Sequence, residues 1–196
     1  MKINKIKKSK GFTLIELLIV IGILAVLAVT LLLALNPAEA QKRTRDTKRL
    51  RDVATLQAII NQYLESGVAI PAASCLDDAL PVACNSNLIG ASAAGNTPQP
   101  CNPAANNWLG IDVCAYAQTV PVDPNNGQAR TFVSGASPTL DTTGFARYQA
   151  RVTGSDYEVN VRLEAESNRA FVSNDGGPAA DNWYEVFSSA PDVITH

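Results

Sequence analysis

The pattern of apolar and polar positions begins with one long apolar segment, residues 12–35. As a helix this segment would extend about 36 Å at 1.5 Å per residue, which is enough to cross the roughly 30 Å hydrocarbon core of a bilayer. No second segment is apolar enough to cover such a helix on all sides, so a buried helix of a soluble protein is disfavoured. The pattern therefore predicts a transmembrane helix over 12–35.

A second helix is predicted over 38–65, where apolar residues recur at helical spacing and Gly67 follows as a stop signal. Asn36-Pro37 lies between the two helices. Because proline removes a backbone donor, this dipeptide indicates either a kink in one helix or the end of the first helix and a new start at Pro37. The second helix carries one apolar stripe: Leu50, Val53, Ile60, Tyr63 and Leu64.

Strands are predicted in the C-terminal part of the chain. Residues 156–164, DYEVNVRLE, alternate strictly between apolar and polar, and residues 147–152, RYQARV, alternate as well. Gly154-Ser155 between them is typical of a hairpin turn. An antiparallel sheet of three or four strands could bury one face against the second helix and leave the other face in water. Two shorter segments complete the predicted strands: RTFVSG (130–135) and AFVSN (170–174).

Residues 66–127 show few regular signals and are rich in Ala, Asn, Pro, Ser and Gly, so we expect a long loop region with short elements. The predicted fold class is α+β, with a long N-terminal helix packed on a small antiparallel sheet. The chain is accordingly divided into an N-terminal segment 1–11, a helix over 12–65 and a globular head over 66–196.

Charge is distributed unevenly along the chain, whose formal net charge is −2. From residue 66 onwards the head holds five basic and thirteen acidic residues, a formal charge of −8, which argues against nucleic-acid binding through phosphate contacts. A basic cluster in the second helix is predicted to contact anionic headgroups or acidic groups of neighbouring chains, with DNA binding less favoured. The cluster comprises Lys42, Arg43, Arg45, Lys48, Arg49 and Arg51.

All four cysteines lie in the head, and no C-x-x-C spacing occurs. Two disulfides are favoured over a zinc site, which places the head outside the reducing cytoplasm. Of the three possible connectivities we favour the pairing of sequence neighbours: Cys75 with Cys84, and Cys101 with Cys114.

Glu16 is anomalous because it lies inside the apolar segment with no Lys or Arg at a helical neighbour. An ordinary secretory signal peptide is one alternative, with cleavage after Ala38-Glu39-Ala40. Its apolar region would, however, be much longer than the typical 7–15 residues, and it would not contain a glutamate. The signal-peptide interpretation is therefore disfavoured.

The stretch KGFTLIELLIV, residues 10–20, resembles the class III signal of type IV pilins and of the pseudopilins of type II secretion systems. The resemblance implies a leader over 1–11 that a membrane-bound prepilin peptidase removes after Gly11. It also implies N-methylation of the new N-terminal Phe12. Glu16 would then pair with the Phe12 amine of a neighbouring subunit in a low-dielectric filament core; the alternative is a carboxylate that reaches the headgroups.

Two further stretches resemble the same family. VPVDPNNGQ (120–128) resembles the Pro-x-Asp-Pro stretch that precedes the sheet in pseudopilins and related pilins. SNDGGPAADNWYEV (173–186) resembles their C-terminal loop, which binds calcium in the pseudopilins. Calcium is then the only cofactor that the resemblance implies, and the proposed role requires no cofactor. The alternative is a tight Asx-turn loop that binds no ion. The candidate ligands are Asn174, Asp175, Asp181 and Asn182.

The resemblance implies a pilin-like, non-enzymatic subunit that polymerises with itself and with related pilins. A prepilin peptidase, an assembly ATPase with its membrane platform, and membrane lipid would be its partners. It would reside in the cytoplasmic membrane as a single-pass protein with its head outside, and then in an extracellular filament. The alternatives are a pseudopilin and a membrane-anchored binding module that never polymerises.

No catalytic motif occurs in the sequence. There is no Gly-x-Ser-x-Gly elbow, P-loop or dinucleotide fingerprint, and the single histidine, His196, is the last residue. The paired carboxylates Asp77-Asp78 and Glu164/Glu166 lie in polar contexts and are predicted to be solvated. The sequence therefore favours a structural protein over an enzyme.

The cleavage site is directly testable by intact-mass and N-terminal peptide analysis. We expect the mature chain to begin at Phe12 with a methylated amine. Gly11→Ala should be processed in part because alanine is also small, whereas the bulky Gly11→Leu should leave the leader attached. A mature chain that begins at Gln41 would instead establish the ordinary signal peptide.

Overall fold

The structure is a computed structural model. It describes residues 11–68, 74–77, 97–102, 108–109, 111–135, 140–141, 144–153, 156–177 and 182–188. The chain divides into two compact units, Met1–Ala40 and Gln41–His196. The predicted α+β class is confirmed, since an N-terminal apolar helix is followed by a second helix and small antiparallel sheets.

The first unit contains helix α1, Leu14–Leu35. Of its residues, Leu14–Leu32 form a stretch that is long and apolar enough to cross a membrane, and none of that stretch is buried. Branched and aliphatic side chains cover the helix on all sides, so it has no polar face to turn toward water. A helix with this surface needs lipid or other apolar helices around it.

The break at Asn36-Pro37 is a helix end followed by a new helix start. Helix α1 ends at Leu35, and Asn36 has left-handed backbone angles of φ 37° and ψ 74°, which asparagine tolerates better than most residues. Helix α2 begins at Pro37, where the missing N–H is no loss because the first amides of a helix lack intrahelical acceptors. The backbone oxygen of Asn36 accepts hydrogen bonds from the amides of Glu39 (3.1 Å) and Ala40 (3.2 Å).

Helix α2 extends over Pro37–Glu65, and its apolar stripe is the helical side of the core. The predicted positions Val53, Ile60 and Tyr63 are buried, and Leu50 and Leu64 pack against the cluster while partly exposed. Leu56 and Ile59 join them because they lie on the same face. The chain leaves the helix at Gly67, whose φ of 74° favours glycine.

The main sheet has four antiparallel strands in the order β1-β6-β7-β8. Its strands are β1 Ser74–Asp77, β6 Tyr148–Thr153, β7 Asp156–Val161 and β8 Tyr184–Phe187. The predicted hairpin is present, with Thr153 opposite Asp156 and Tyr148 opposite Val161. On the core face, Tyr148 donates a hydrogen bond through Oη to Oδ2 of Asp52 on α2 at 2.8 Å. This bond joins the sheet to the helix at the edge of the apolar contact.

Two small sheets complete the strands: β2 Gln99–Pro100 with β3 Thr119–Val120, and β4 Phe132–Val133 with β5 Leu140–Asp141. RTFVSG therefore contains a strand, but outside the main sheet. AFVSN was wrong as a strand, since Arg169–Ser173 forms helix α3 after a 3₁₀ turn at Glu166–Asn168. A short apolar run does not distinguish helix from strand.

The expectation of a wet second sheet face was wrong. The polar residues on that face are almost completely buried. Asn160 donates through Nδ2 to Oε1 of Glu158 at 2.6 Å, and Asp175 accepts a hydrogen bond from the amide of Glu185 at 2.9 Å. The buried polar set is Gln149, Glu158, Asn160 and Glu185.

Arginine guanidinium groups and aromatic rings form a continuous stack through the head. Arg49 lies 5.9 Å and Arg162 5.5 Å from the ring centre of Phe132. Arg162 also lies 4.5 Å from the ring of Trp183, which Arg147 contacts at 5.4 Å. Each contact is a cation–π interaction, and together they link α2, β4 and the approach to β8.

The loop region is closed by a disulfide between Cys101 and Cys114, which is one of the two favoured pairings. The other pairing joins Cys75 of β1 to Cys84, and Cys84 lies outside the described residues. Backbone hydrogen bonds support the loop at both ends: the amide of Val113 donates to the oxygen of Cys101 and the amide of Cys101 donates to that of Gln118. Closing a loop of this length stabilises a fold by roughly 3 kcal/mol in the chain-entropy account.

Arg49 is completely buried and is surrounded by three carboxylates, from Asp46, Asp123 and Glu164. Its guanidinium donates to both oxygens of Asp123, through Nε at 2.8 Å and Nη2 at 3.2 Å. Its Nη1 contacts Asp46 at 2.9 Å and Glu164 at 2.7 Å. Arg45 also donates two hydrogen bonds to Glu164. We call these five residues the buried charge cluster.

The carboxylate of Asp46 also holds backbone that follows β7. It accepts hydrogen bonds from the amides of Glu164 (3.0 Å) and Ala165 (2.8 Å) and from Nδ2 of Asn168 (2.9 Å). Burial by itself raises the pKa of Glu164, but Arg45 and Arg49 outweigh that effect and leave it below its usual range. The carboxylate is therefore charged at neutral pH, as the pairing requires.

The cluster corrects two expectations from the sequence. Arg49 is completely buried and so is not available to headgroups or a neighbouring chain, and Arg45 pairs with a carboxylate of its own chain. Glu164 is not solvated, whereas Glu166 is exposed and forms an ion pair with Arg169. The pairing was invisible in the sequence because Glu164 lies 119 residues from Arg45.

Replacing Arg49 should destabilise the head strongly. Arg49→Ala removes the buried cation that Asp46, Asp123 and Glu164 share, and breaking a buried pair costs about 3–5 kcal/mol. For a chain of this size the melting temperature should fall by on the order of 10 °C. The matched control is Arg51→Ala, two residues along the same helix and exposed, which should change stability by less than about 0.5 kcal/mol. Equal losses for both variants in thermal melts of the full chain would contradict this assignment.

Candidate assembly site at the start of the apolar helix

The residues predicted at the cleavage junction lie at the exposed start of α1. Gly11 and Phe12 precede the helix outside regular secondary structure, and Phe12 is 89% exposed. Apart from its chain neighbours, no described residue comes within 4 Å of a Cβ built on Gly11. Within the described residues, both sides of the predicted junction are therefore accessible.

Glu16 has a partner that the sequence interpretation missed, namely Thr13. Thr13 is the N-cap of α1, and the amide of Glu16 donates to its Oγ1 at 3.3 Å. In return the amide and the hydroxyl of Thr13 both donate to Oε2 of Glu16, each at 2.8 Å. This reciprocal arrangement is a capping box.

The capping box gives the carboxylate a role inside its own chain. The first amides of a helix lack intrahelical acceptors, and in lipid such groups are costly because no water is available. Thr13 and Glu16 satisfy two of them. The signal was present in the sequence as T-x-x-E directly before an apolar run, the usual pattern of a helix start.

The capping box uses only one oxygen of Glu16. Both hydrogen bonds from Thr13 end on Oε2, and Oε1 accepts no hydrogen bond from any residue that the structure describes. A carboxylate in this state can accept a further donor without breaking the cap. The geometry thus allows Glu16 to cap its own helix and to bind an external cation.

The predicted calcium ligands have other contacts in the structure. Asp175 accepts hydrogen bonds from the amides of Gly177 (3.2 Å) and Glu185 (2.9 Å), and Asn174 donates through Nδ2 to the oxygen of Ala170. Burial is the main cause that raises the pKa of Asp175. Asn182 is half-buried; the fourth candidate, Asp181, lies outside the described residues. Within the described ranges no three His, Cys, Asp or Glu residues lie close enough to hold a metal ion.

Comparison with known proteins yields one match. The family model of the prokaryotic N-terminal methylation motif matches residues 6–32, which include Gly11, Phe12, Thr13 and Glu16. No curated protein and no solved structure matches the chain. The match covers most of the apolar helix and none of the head.

Calcium binding stays a prediction, and thermal melts of the full chain test it. If the loop around Asp175 binds calcium, the melting temperature should be higher with millimolar ion than with chelator, because a ligand that binds only the folded state stabilises it. Asp175→Ala should lower stability in both conditions, since its turn contacts are lost, and should abolish the difference between them. Identical wild-type melting with ion and with chelator would leave the loop as an Asx turn.

Proposed function

Because residues 6–32 carry the class III prepilin signal of type IV pilins and pseudopilins, we propose that this protein is a structural subunit of a type IV pilus-like filament. The methylation motif is the observation that carries the proposal. It points to a structural protein processed by a prepilin peptidase and assembled with other subunits. The exposed apolar surface of α1 supports it, because such a helix must pack in lipid or against similar helices.

In this proposal the precursor first resides in the cytoplasmic membrane. Helix α1 holds the precursor as a single-pass protein, with the head on the outside where the disulfide between Cys101 and Cys114 is stable. A charged residue at the centre of a membrane span costs about 2.5–3.5 kcal/mol. Glu16 lies near the end of the span and its carboxylate already accepts two hydrogen bonds from Thr13, so its cost there is smaller.

Cleavage after Gly11 then converts the start of α1 into an assembly site. The new amine on Phe12, methylated and cationic, lies one residue before the capping box. In the filament, Oε1 of Glu16 accepts a hydrogen bond from the Phe12 amine of a neighbouring subunit. In a medium from which water is excluded, this pair of opposite charges attracts far more strongly than it would in water, although desolvation offsets part of the gain.

The remaining partners follow from the same proposal. A motor ATPase with its membrane platform moves subunits from the bilayer into the filament, whose core is formed by α1 helices and whose surface is formed by heads. A pseudopilin that forms a short secretion filament carries the same motif and is the alternative within this class. Labelling the chain on cell-surface filaments in electron micrographs distinguishes the two.

Glu16→Ala tests the assembly step. The variant should still insert into the membrane, because the lower cost of alanine in lipid offsets the lost cap contacts with Thr13, but its filament yield should fall at least about tenfold. Membrane fractionation and filament counts measure the two results separately. Glu65→Ala, the same change at the exposed end of α2, is the matched control and should assemble normally. Normal filament yield from Glu16→Ala would remove the pairing with the Phe12 amine.

A further inference from the structure

A cleft of about 450 Å³ lies between α3 and the edge strand β8 of the main sheet. Its walls are aromatic: Phe171 is 48% exposed, and its ring meets that of Tyr184 edge to face at 6.1 Å, with Phe187 beside them. Two carboxylates, of Asp175 and Glu185, line the same space. We call this site the β8 cleft.

The chemistry of the β8 cleft favours a cation over an anion or an apolar group. Aromatic faces attract ammonium and guanidinium groups, and carboxylates complement them. Among the described residues, no Lys or Arg forms an ion pair with Asp175, whose hydrogen bonds come from backbone amides. Anionic headgroups, in contrast, would be repelled.

The chain has a matching cationic surface on α2. Lys48 and Arg51 are exposed, and neither forms an ion pair with any residue in the described part of the chain. Lys48 does act electrostatically on Asp52. The two side chains lie one helical turn apart, with about 5–6 Å between their Cβ atoms, so they present two positive charges side by side.

Several other arginines of the chain are engaged elsewhere. Arg45 and Arg49 belong to the buried charge cluster, and four arginines of the head bind carboxylate, amide or aromatic groups of the head itself. These four contacts are Arg130 with Gln128, Arg147 and Arg162 with Trp183, and Arg169 with Glu166.

We propose that the β8 cleft receives Lys48 and Arg51 of a second copy of this chain. The two surfaces are different patches of one molecule, so the contact is heterologous, and a heterologous contact that does not close into a ring generates an open helical polymer. The inference deepens the proposed function by naming a contact between heads in the filament, in addition to the contact between apolar helices.

Photo-crosslinking of the full chain tests the contact. Phe171→p-benzoylphenylalanine places a photoreactive aromatic group at the exposed wall of the cleft with little change in shape. Light and isotopically heavy chains are mixed, and chelator is present so that calcium does not occupy Asp175. We expect a crosslinked peptide pair of mixed label that contains Lys48 and Arg51. A crosslink within one chain, or to any other segment, would overturn the proposal.

A variant with both cations removed, Lys48→Ala/Arg51→Ala, should lose the mixed-label crosslink by about tenfold, the effect of removing two charge-assisted contacts. Salt of roughly 0.5 M should weaken it as well, because exposed charges are then screened over a few ångströms. Asn61→Ala/Gln62→Ala, on exposed positions of the same helix, is the matched control and should keep the crosslink. Loss of the crosslink in both double variants would contradict a role for these two cations.

Crosslinking in isolated membranes and in filaments separates this inference from the proposed function. A mixed-label crosslink in membranes from cells that form no filaments would support the docking and contradict the filament. Filaments without the crosslink would overturn the docking alone. If neither filaments nor the crosslink is found, both the docking and the filament are contradicted.

Discussion

The head depends on the burial of one guanidinium group, that of Arg49. A cation without access to water must be surrounded by hydrogen-bond acceptors, and here the acceptors come from three separate parts of the chain: Asp46 on α2, Asp123 in the Pro-Val-Asp-Pro stretch and Glu164 after β7. Through its ion pairs with Asp123 and Glu164, Arg49 therefore holds the loop before β4 and the end of the hairpin against the same helix. The apolar core forms between elements whose positions these ion pairs define.

A different constraint acts on the first unit, where the surroundings of the helix are apolar. Near the start of helix α1, the side chains that can accept hydrogen bonds from its first amides are those of Thr13 and Glu16. The capping box provides these hydrogen bonds. The glutamate is thus compatible with the bilayer for a reason internal to the chain. Its second oxygen accepts no hydrogen bond from a described residue, which connects a local folding requirement to the proposed assembly of subunits.

The two units consequently divide the proposed work between them. The methylation motif lies entirely in the first unit, and it concerns anchoring, cleavage and polymerisation. The second unit contains the disulfide, the buried charge cluster and the β8 cleft, and no curated protein or solved structure matches it.

The sequence by itself determined the elements whose signals are local. A long, mainly apolar run is sufficient for α1, helical spacing for the stripe of α2 and strict alternation for the hairpin of β6 and β7. The pattern T-x-x-E is sufficient for the capping box. The calcium loop was inferred from resemblance and stays a prediction.

Only the tertiary structure decided the contacts between residues distant in sequence. Arg49 and Asp123 are 74 residues apart, and no periodicity indicates which of thirteen acidic residues in the head will surround a basic residue of α2. The same reason explains why AFVSN is a helix and not the predicted strand. Its apolar run fits either element. In the structure the helix is accompanied by the ion pair between Glu166 and Arg169 and by the packing of Val172 into the core. The local sequence pattern determines which helices and strands form, whereas burial and charge compensation determine which of them contact each other.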